Sequence, residues 1–301
     1  MIVQPSEQAL ARAAGIIRKG GLVAFPTETV YGLGANALDA EAVKHIYEAK
    51  GRPFASPLIV HVTDEQMARS LAADWPEIAR RLAARFWPGP LTLVVKKADV
   101  VPDLVTAGLD SVGLRVPAHP VALTLVRQAG VPIAAPSANR FMQVSPTNAE
   151  HVQATFGDAL DLILDGGASR VGIESTVVSL RRSPPAVLRP GMISRDELEA
   201  ATNVVWDREK RLTQISESPG LHARHYAPRT RLYVLEPGAA KPAGKGRVID
   251  MPSDPSRYAA QLYAGLREAD EQGWDWIALE RPPDTPEWEG ILDRLSRAAT
   301  R

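Results

Sequence analysis

Four cations in this sequence stand where the main chain is set to turn. Lys50 and Arg52 close a helical pattern, Arg115 lies inside a strand-like apolar run, and Arg189 comes just before Pro190-Gly191. A basic residue near a helix C-terminus complements the helix dipole by roughly a few tenths of a kcal/mol, which would account for a lone cation. Lys50-x-Arg52-Pro53, however, puts two cations on one proline-stiffened turn that can aim both at a single anion with little entropy left to lose. An arginine within Val112-Gly-Leu-Arg-Val116 ordinarily faces solvent; if buried, it needs a carboxylate or phosphate partner. Hydroxyl groups accompany these cations: Thr29 in the turn Thr27-Glu28-Thr29, then Ser137, Ser145 and Ser175. Ser137-Ala138-Asn139 has the composition of a plain Ser/Asx turn. It also follows an apolar run, where an open α/β sheet presents hydroxyl and amide groups to ligands. No Ser-His-Asp order competes, and the constellation reads as a polyanion pocket, most simply for a nucleotide.

The elements that must hold these groups are legible. Leu22 to Phe25 is of strand length and stops at Pro26, which cannot donate to a sheet ladder. Asp39 can cap a helix with Ala42, Val43, Ile46 and Tyr47 on one face, ending at Lys50-Gly51-Arg52-Pro53, and a second apolar run covers 57–62. The intervening Thr27 to Gly34 reads as a turn and loop. Gly32-x-Gly34-x-x-Ala37 fits a dinucleotide fingerprint only in letters, since six residues separate it from the preceding strand. Ser6 opens a first helix, and helices are expected at 64–72, 76–86, 120–129, 147–156 and 194–200. Strands are expected at 91–95, 112–116, 131–135, 160–164, 175–180 and 186–189, with a loop over 98–111. This alternation predicts an α/β domain with a twisted mixed sheet and flanking helices over residues 1–205. Residues 206–230 lack periodicity and read as a linker. Residues 231–301 predict a small α/β unit with strands at 231–235, 247–250 and 276–279 and helices at 256–271 and 286–298. Gly238 to Gly246 with Lys245 fails as a P-loop, having the wrong spacing and no hydroxyl for magnesium. His222-x-x-His225, with no cysteine or acidic cluster nearby, reads as a solvated or hydrogen-bonded pair rather than half a metal site.

Composition narrows the classes. The 301 residues hold no cysteine, which excludes disulfides, thiol nucleophiles and thiolate zinc sites and is compatible with a reducing cytoplasm. The N-terminus lacks a basic stretch followed by a long apolar core, and no apolar run approaches spanning length, so a cytoplasmic protein without a membrane partner is expected. The 35 basic and 35 acidic side chains cancel. They cancel by segment as well, with 20 of each sign in residues 1–205 and 15 of each in the rest. Neither part has the basic excess of a protein that grips nucleic acid through phosphates, which favours a small anionic ligand.

A series of short motifs, in order, resembles the threonylcarbamoyladenylate synthases, the YrdC-like family. They are FPTETVYGLG, KGRP with SPLIVHV, WPGPLTLV, VGLRVPAHP, APSAN, SPT, GIESTVV, LRPG and the linker SPGLHARHYAP. The match spans about residues 8–230, and the linker with its C-terminal unit resembles the long, two-domain form. The resemblance implies a YrdC-like sheet domain plus a small Rossmann-like C-terminal domain. It implies an enzyme that joins L-threonine, bicarbonate and ATP into threonylcarbamoyl-AMP, with magnesium accompanying ATP and diphosphate released. A separate transferase would then carry the threonylcarbamoyl group to adenosine 37 of tRNAs reading ANN codons; a weak contact with RNA stays open.

Carried over residue by residue, the resemblance places threonine against Thr29, His61, Arg115, Ala135 and Ser175, with Arg115 on the amino acid's carboxylate. It places ATP against Arg52, Ser56, Ser111, Ser137, Ser145 and Arg189, with Lys50 and Asn139 close by and Tyr226 reaching over the nucleotide from a lid-like linker. Lys50 and Arg52 are the expected catalytic cations, and no protein-held metal is expected. A carbamate would attack the α-phosphorus of ATP, so two anions must be neutralised and held in line. Two other readings remain: a carbamoyl adenylate-forming enzyme of the hydrogenase-maturation type, and a non-catalytic RNA-binding module. The absent cysteines speak against the first and the balanced charge against the second.

Overall fold

The computed structural model describes residues 1–207, 219–220 and 224–300. The expected linker therefore falls partly outside the described residues, as does His222. In chain order the first elements are β1 (Ile2–Val3), α1 (Glu7–Arg18), β2 (Val23–Phe25), β3 (Gly32–Asn36), α2 (Ala40–Lys50) and β4 (Ile59–His61). Next come α3 (Glu65–Ser70), α4 (Glu77–Phe86), β5 (Leu91–Lys96), α5 (Asp103–Thr106), β6 (Ser111–Arg115), α6 (Pro120–Ala129) and β7 (Ile133–Ala134). The large domain closes with α7 (Ala149–Phe156), β8 (Leu162–Leu164), β9 (Thr176–Ser179), β10 (Ala186–Arg189) and α8 (Arg195–Thr202). Its ten strands form one mixed sheet in the order β1-β8-β2-β3-β7-β4-β6-β5-β9-β10.

Local chemistry explains most boundaries. The Ser6 hydroxyl accepts from the Ala9 N–H to start α1, which buries Leu10, Ala13, Ala14 and Ile17. Asp39 accepts from the N–H groups of Glu41 and Ala42 to start α2. Gly51, at φ +61°, ends α2 in the left-handed conformation that glycine adopts without a Cβ penalty. After that stop the Arg52 N–H donates to the Tyr47 carbonyl at 3.0 Å.

The largest departure from the sequence expectation is β3. Gly32 to Asn36 is not a loop but a strand, antiparallel to β2 with Gly34 opposite Val23. Glycine is needed there for packing: a Cβ on Gly34 would stand 2.6 Å from Phe25 Cε1 and 2.8 Å from Ile133 Cγ2. The strand was hidden because glycine weakens strand propensity, whereas here it is what lets the strand lie against an aromatic ring. Two smaller differences are β1, a short edge strand beside β8, and α5, one turn of helix within the expected loop.

The second sheet has three parallel strands in the order β11-β13-β12: β11 (Arg231–Leu235), β12 (Gly246–Val248) and β13 (Trp276–Glu280). Helix α9 (Pro255–Asp270) makes the crossover from β12 to β13, as the Rossmann-like expectation requires, and a 3₁₀ turn leads into α10 (Glu289–Ala298). This unit shares an apolar cluster with the large domain, where Val30, Val144 and Ile173 pack with Tyr258, Leu262, Tyr263 and Ile291. Trp206, at the start of the expected linker, is buried with Leu198 and Ile193 of the large domain. No described helix is long and apolar enough to cross a membrane.

Candidate active site

A cleft of about 550 Å³ opens between the ten-stranded sheet and the segment around Tyr226. Its position follows from strand register. β4 and β6 run parallel with His61 opposite Arg115, and β4 runs antiparallel to β7 with His61 opposite Ile133. The His61 and Arg115 side chains thereby reach one place, and Ala135, just past β7, joins them, although their sequence positions lie far apart. β5 and β9 carry the same wall onward, with Leu91 opposite Thr176, and the Thr92 and Ser175 hydroxyls lie 2.8 Å apart. A register irregularity between Val187 and Arg189 re-aims the end of β10. Arg189 Nε and Nη2 then donate to the Ser175 carbonyl at 3.1 and 3.0 Å, and Nη1 donates to the carbonyl of Pro219 at 3.1 Å.

Nine of the residues singled out from the sequence line this cleft: Thr29, Arg52, His61, Arg115, Ala135, Ser137, Ser175, Arg189 and Tyr226. Thr29 arrives through a turn closed by Thr27, whose hydroxyl donates to the Val30 carbonyl and accepts from the N–H groups of Thr29 and Val30. Arg52 is fixed from behind, Nη2 donating to Ser56 Oγ at 2.7 Å and to the Pro57 carbonyl at 3.0 Å. Burial pulls its pKa down to about 10. His61 is lowered to about 3, first by burial and then by the Arg115 charge, so its imidazole is neutral at any ordinary pH. Arg115 has a carboxylate inside the chain, Glu28, whose Oε1 lies 2.7 Å from Nη2. Both residues are buried, and Arg115 Nε also donates to the Gly89 carbonyl. Tyr226 is buried with φ +59° and stacks on Tyr263, ring centroids 5.9 Å apart.

Five other singled-out residues do not line it. Lys50 is fully packed and donates its Nζ hydrogens to the carbonyls of Ser137 and Asn139; burial, with Arg52 and Arg140 nearby, holds its pKa well below the usual lysine value. It braces the turn that carries Ser137 rather than facing the cleft. Ser56 holds Arg52, and Asn139 Nδ2 donates to the carbonyls of Arg140 and Gln143. Ser145 donates to Glu174 Oε1 at 2.6 Å. Ser111 lines a second cleft of about 300 Å³ with Thr92, Val94, Leu109 and Val177. The two clefts share Leu58, Ile59 and Pro219, so Ser111 sits one step along the same groove.

The sequence reading missed two acidic groups. Glu174 lines the cleft, and Glu28 stands behind it on Arg115. Each had a signal: a buried arginine demands a carboxylate, Glu28 stands between Thr27 and Thr29, and Glu174 is followed by Ser175 and Thr176. Thr27, Gly32, Pro136, Pro219, Gly220 and His225 also line the cleft. Among the described residues no cluster of three or more His, Cys, Asp or Glu side chains could hold a metal ion.

Three guanidinium groups, one neutral imidazole and several hydroxyls thus converge on one groove. Such a site can bind a small carboxylate and a phosphate chain side by side, and neutralise charge between them.

Comparison with known proteins agrees. Residues 15–191 match the family model of the Sua5–YciO–YrdC proteins, described as telomere recombination. Residues 193–300 match the C-terminal domain of threonylcarbamoyl-AMP synthase. A threonylcarbamoyl-AMP synthase of Pyrococcus abyssi is 50% identical, the alignment covering 95% of this chain and 93% of that protein. One from Bacillus subtilis is 41% identical, covering 96% and 92%. The crystal structure of P. abyssi Sua5 complexed with L-threonine superposes with a TM-score of 0.92 at 39% identity, covering 99% of this chain and 97% of that one.

Proposed function

The chain belongs to the Sua5–YciO–YrdC family in its two-domain, threonylcarbamoyl-AMP synthase form, and we propose how its cleft carries out that synthesis. The reaction joins L-threonine, bicarbonate and ATP and releases diphosphate. The observation that carries the assignment of roles is the convergence of Arg52, Arg115 and Arg189 with neutral His61 on one groove.

Threonine binds at the Glu28–Arg115 end. Its carboxylate takes the exposed side of the Arg115 guanidinium, and its side chain and amine lie against Thr29, His61, the Ala135 backbone and Ser175. The neutral imidazole suits this place, because it adds no charge that would repel the incoming ammonium. The free amine adds to CO2 formed from bicarbonate, giving a carbamate, and the proton it loses leaves with the bicarbonate's hydroxide as water. A carbamate oxygen then attacks the α-phosphorus of ATP; the new O–P bond forms as the bond to diphosphate breaks. Arg52 and Arg189 neutralise the phosphates, Ser137 positions them, and the groove past Leu58 and Ile59 toward Ser111 receives the nucleoside. Lys50 acts from behind, by holding the Ser137 carbonyl. Tyr226, with Pro219, Gly220 and His225 on the same side of the cleft, covers the nucleotide.

Magnesium would enter with the phosphates. The lining carboxylate, Glu174, has both oxygens engaged by Ser145, Tyr263 and Arg294, so the metal would be held by the phosphates rather than by this side chain. Catalysis is then positioning and electrostatics rather than proton transfer by a dedicated base. The product's consumer is a transferase that places the threonylcarbamoyl group on adenosine 37 of tRNAs reading ANN codons. The deciding assay is diphosphate release from ATP with each co-substrate omitted in turn. Strict dependence on both L-threonine and bicarbonate is expected; release without threonine, or with carbamoyl phosphate in its place, would overturn the reading.

A further inference from the structure

Glu174 is an awkward neighbour for a phosphate chain. It lines the cleft beside Ser175 and Arg189, and among the described lining residues it is the carboxylate. Both of its oxygens have partners. Oε1 accepts from Ser145 Oγ at 2.6 Å, and Oε2 accepts from Arg294 Nε at 2.8 Å and from Tyr263 Oη at 2.9 Å. Arg294 Nη2 also donates to the Glu174 carbonyl, and Nη1 to the Pro190 carbonyl and to Asp293 Oδ2. Arg294 is completely buried, and its guanidinium lies over the Tyr226 ring, 5.2 Å from the centroid.

Arg294 and Tyr263 come from α10 and α9, the helices of the second sheet. Helix α9 is seated on the Glu174 segment and α10 on the turn after Arg189, both with no room to spare. A Cβ on Gly172 would stand 2.3 Å from the Ala259 carbonyl oxygen of α9, and one on Gly290 of α10 would stand 2.5 Å from the Gly191 carbonyl oxygen. The cation that answers Glu174 thus comes from the other domain, delivered by two backbone contacts that fix its position. An arginine serving only to join two domains could take carbonyls alone; this one pairs with the anion in the nucleotide wall as well as with Asp293 beside it.

We infer that Arg294 is a positioning residue of the nucleotide site, acting from the C-terminal domain: it neutralises and pins Glu174, so that the Ser175–Arg189 wall presents positive charge to a nucleoside triphosphate. The inference rests on the reading of this cleft as the ATP site. It assigns the C-terminal domain a share in the adenylation step: without it, Glu174 would be left to Arg189, the cation that meets the phosphates.

The test uses the full chain, Arg294→Met, and Arg294→Met with Glu174→Gln. It reads the KM for ATP and for threonine, kcat, and calorimetric binding of ATP, with circular dichroism as the folding control. Arg294→Met is expected to raise both the KM and the Kd for ATP about tenfold or more, as an unpaired like charge does, with the KM for threonine changed less than about twofold. Adding Glu174→Gln should restore most of that loss, since the offending charge is then gone. Unchanged ATP affinity in Arg294→Met, or a double variant no better than the single, would make Arg294 a structural residue only. If Arg294→Met does not fold, Tyr263→Phe removes one bond to the same oxygen at nearly constant shape. It should weaken ATP about threefold, and an unaltered affinity would overturn the inference. Should the wild-type chain bind ATP in an Arg294-dependent way yet release no diphosphate with threonine and bicarbonate, the proposed reaction fails while this inference stands. No ATP binding by the wild type would end both.

Discussion

Arg115 and Arg189 each end a strand of the same sheet, line the same cleft and are equally buried, at 3% exposure. Their electrostatic states are opposite. Arg115 faces Glu28 at 2.7 Å, so that end of the cleft is a neutral pair. Arg189 has a carboxylate neighbour too, but Glu174 is taken by Arg294, and among the described residues Arg189 donates to neutral oxygens of Ser175 and Pro219. Burial works to raise the pKa of Glu174, but the charges of Arg294 and Arg189 and the hydrogen bond from Ser145 outweigh it and leave the carboxyl below the usual carboxylate range. The difference matches the proposed ligands. A zwitterionic amino acid carries no net charge and meets a neutral pair; a triphosphate is a polyanion and meets an uncompensated cation, reinforced by Arg52. Each end thereby limits the desolvation cost that its ligand would otherwise meet.

Breaking the two ends separately should give unlike losses. Arg115→Met leaves Glu28 buried without its cation and is expected to destabilise the fold by about 3–5 kcal/mol in urea unfolding. Glu28→Gln added to it should recover a large part of that loss, because the stranded charge is removed. Arg189→Met should unfold at nearly the wild-type urea concentration, yet lose roughly 100-fold in kcat/KM for ATP, with threonine binding retained. The same split is expected for Arg52→Ala, and a near-wild-type rate in either variant would undo the contrast between a neutral and a cationic end.

A pH series sharpens the neutral end. His61 has a folded pKa of about 3 against an ordinary value of 6.5, so the folded state refuses a proton that the unfolded chain accepts. Stability is therefore full above pH 6.5 and is lost as pH falls toward 3, by at most about 1.4 kcal/mol per pH unit from this group. His61→Asn should flatten that acid limb in part, leaving the contribution of His151, which burial lowers to about 4. The smallest effect serves as the control. Asp39→Ala removes the cap of α2, far from both ends, and should cost about 1 kcal/mol in stability while leaving the KM for ATP and for threonine unchanged.

The legible parts were those with a local cause. Ser6 and Asp39 capped the helices they were expected to cap, and the alternation of apolar runs gave the α/β class and the small parallel unit. Strand β3 was not legible, because Gly32 and Gly34 look like loop residues until Phe25 is seen against them. Lys50 looked like a phosphate ligand because its neighbour Arg52 faces the cleft; one residue of helix turn sends its ammonium to the carbonyls of Ser137 and Asn139 instead.

By itself the sequence determined which residue types meet, through ordered motifs whose cations and hydroxyls suit a carboxylate and a phosphate chain. Only the tertiary structure decided how they are charged when they meet. Parallel register sets His61 beside Arg115, and the docking of two helices brings Arg294 to Glu174 across 120 residues of chain. Register and docking are fixed by packing between distant segments, and a local pattern carries no record of which distant carboxylate a buried arginine will find.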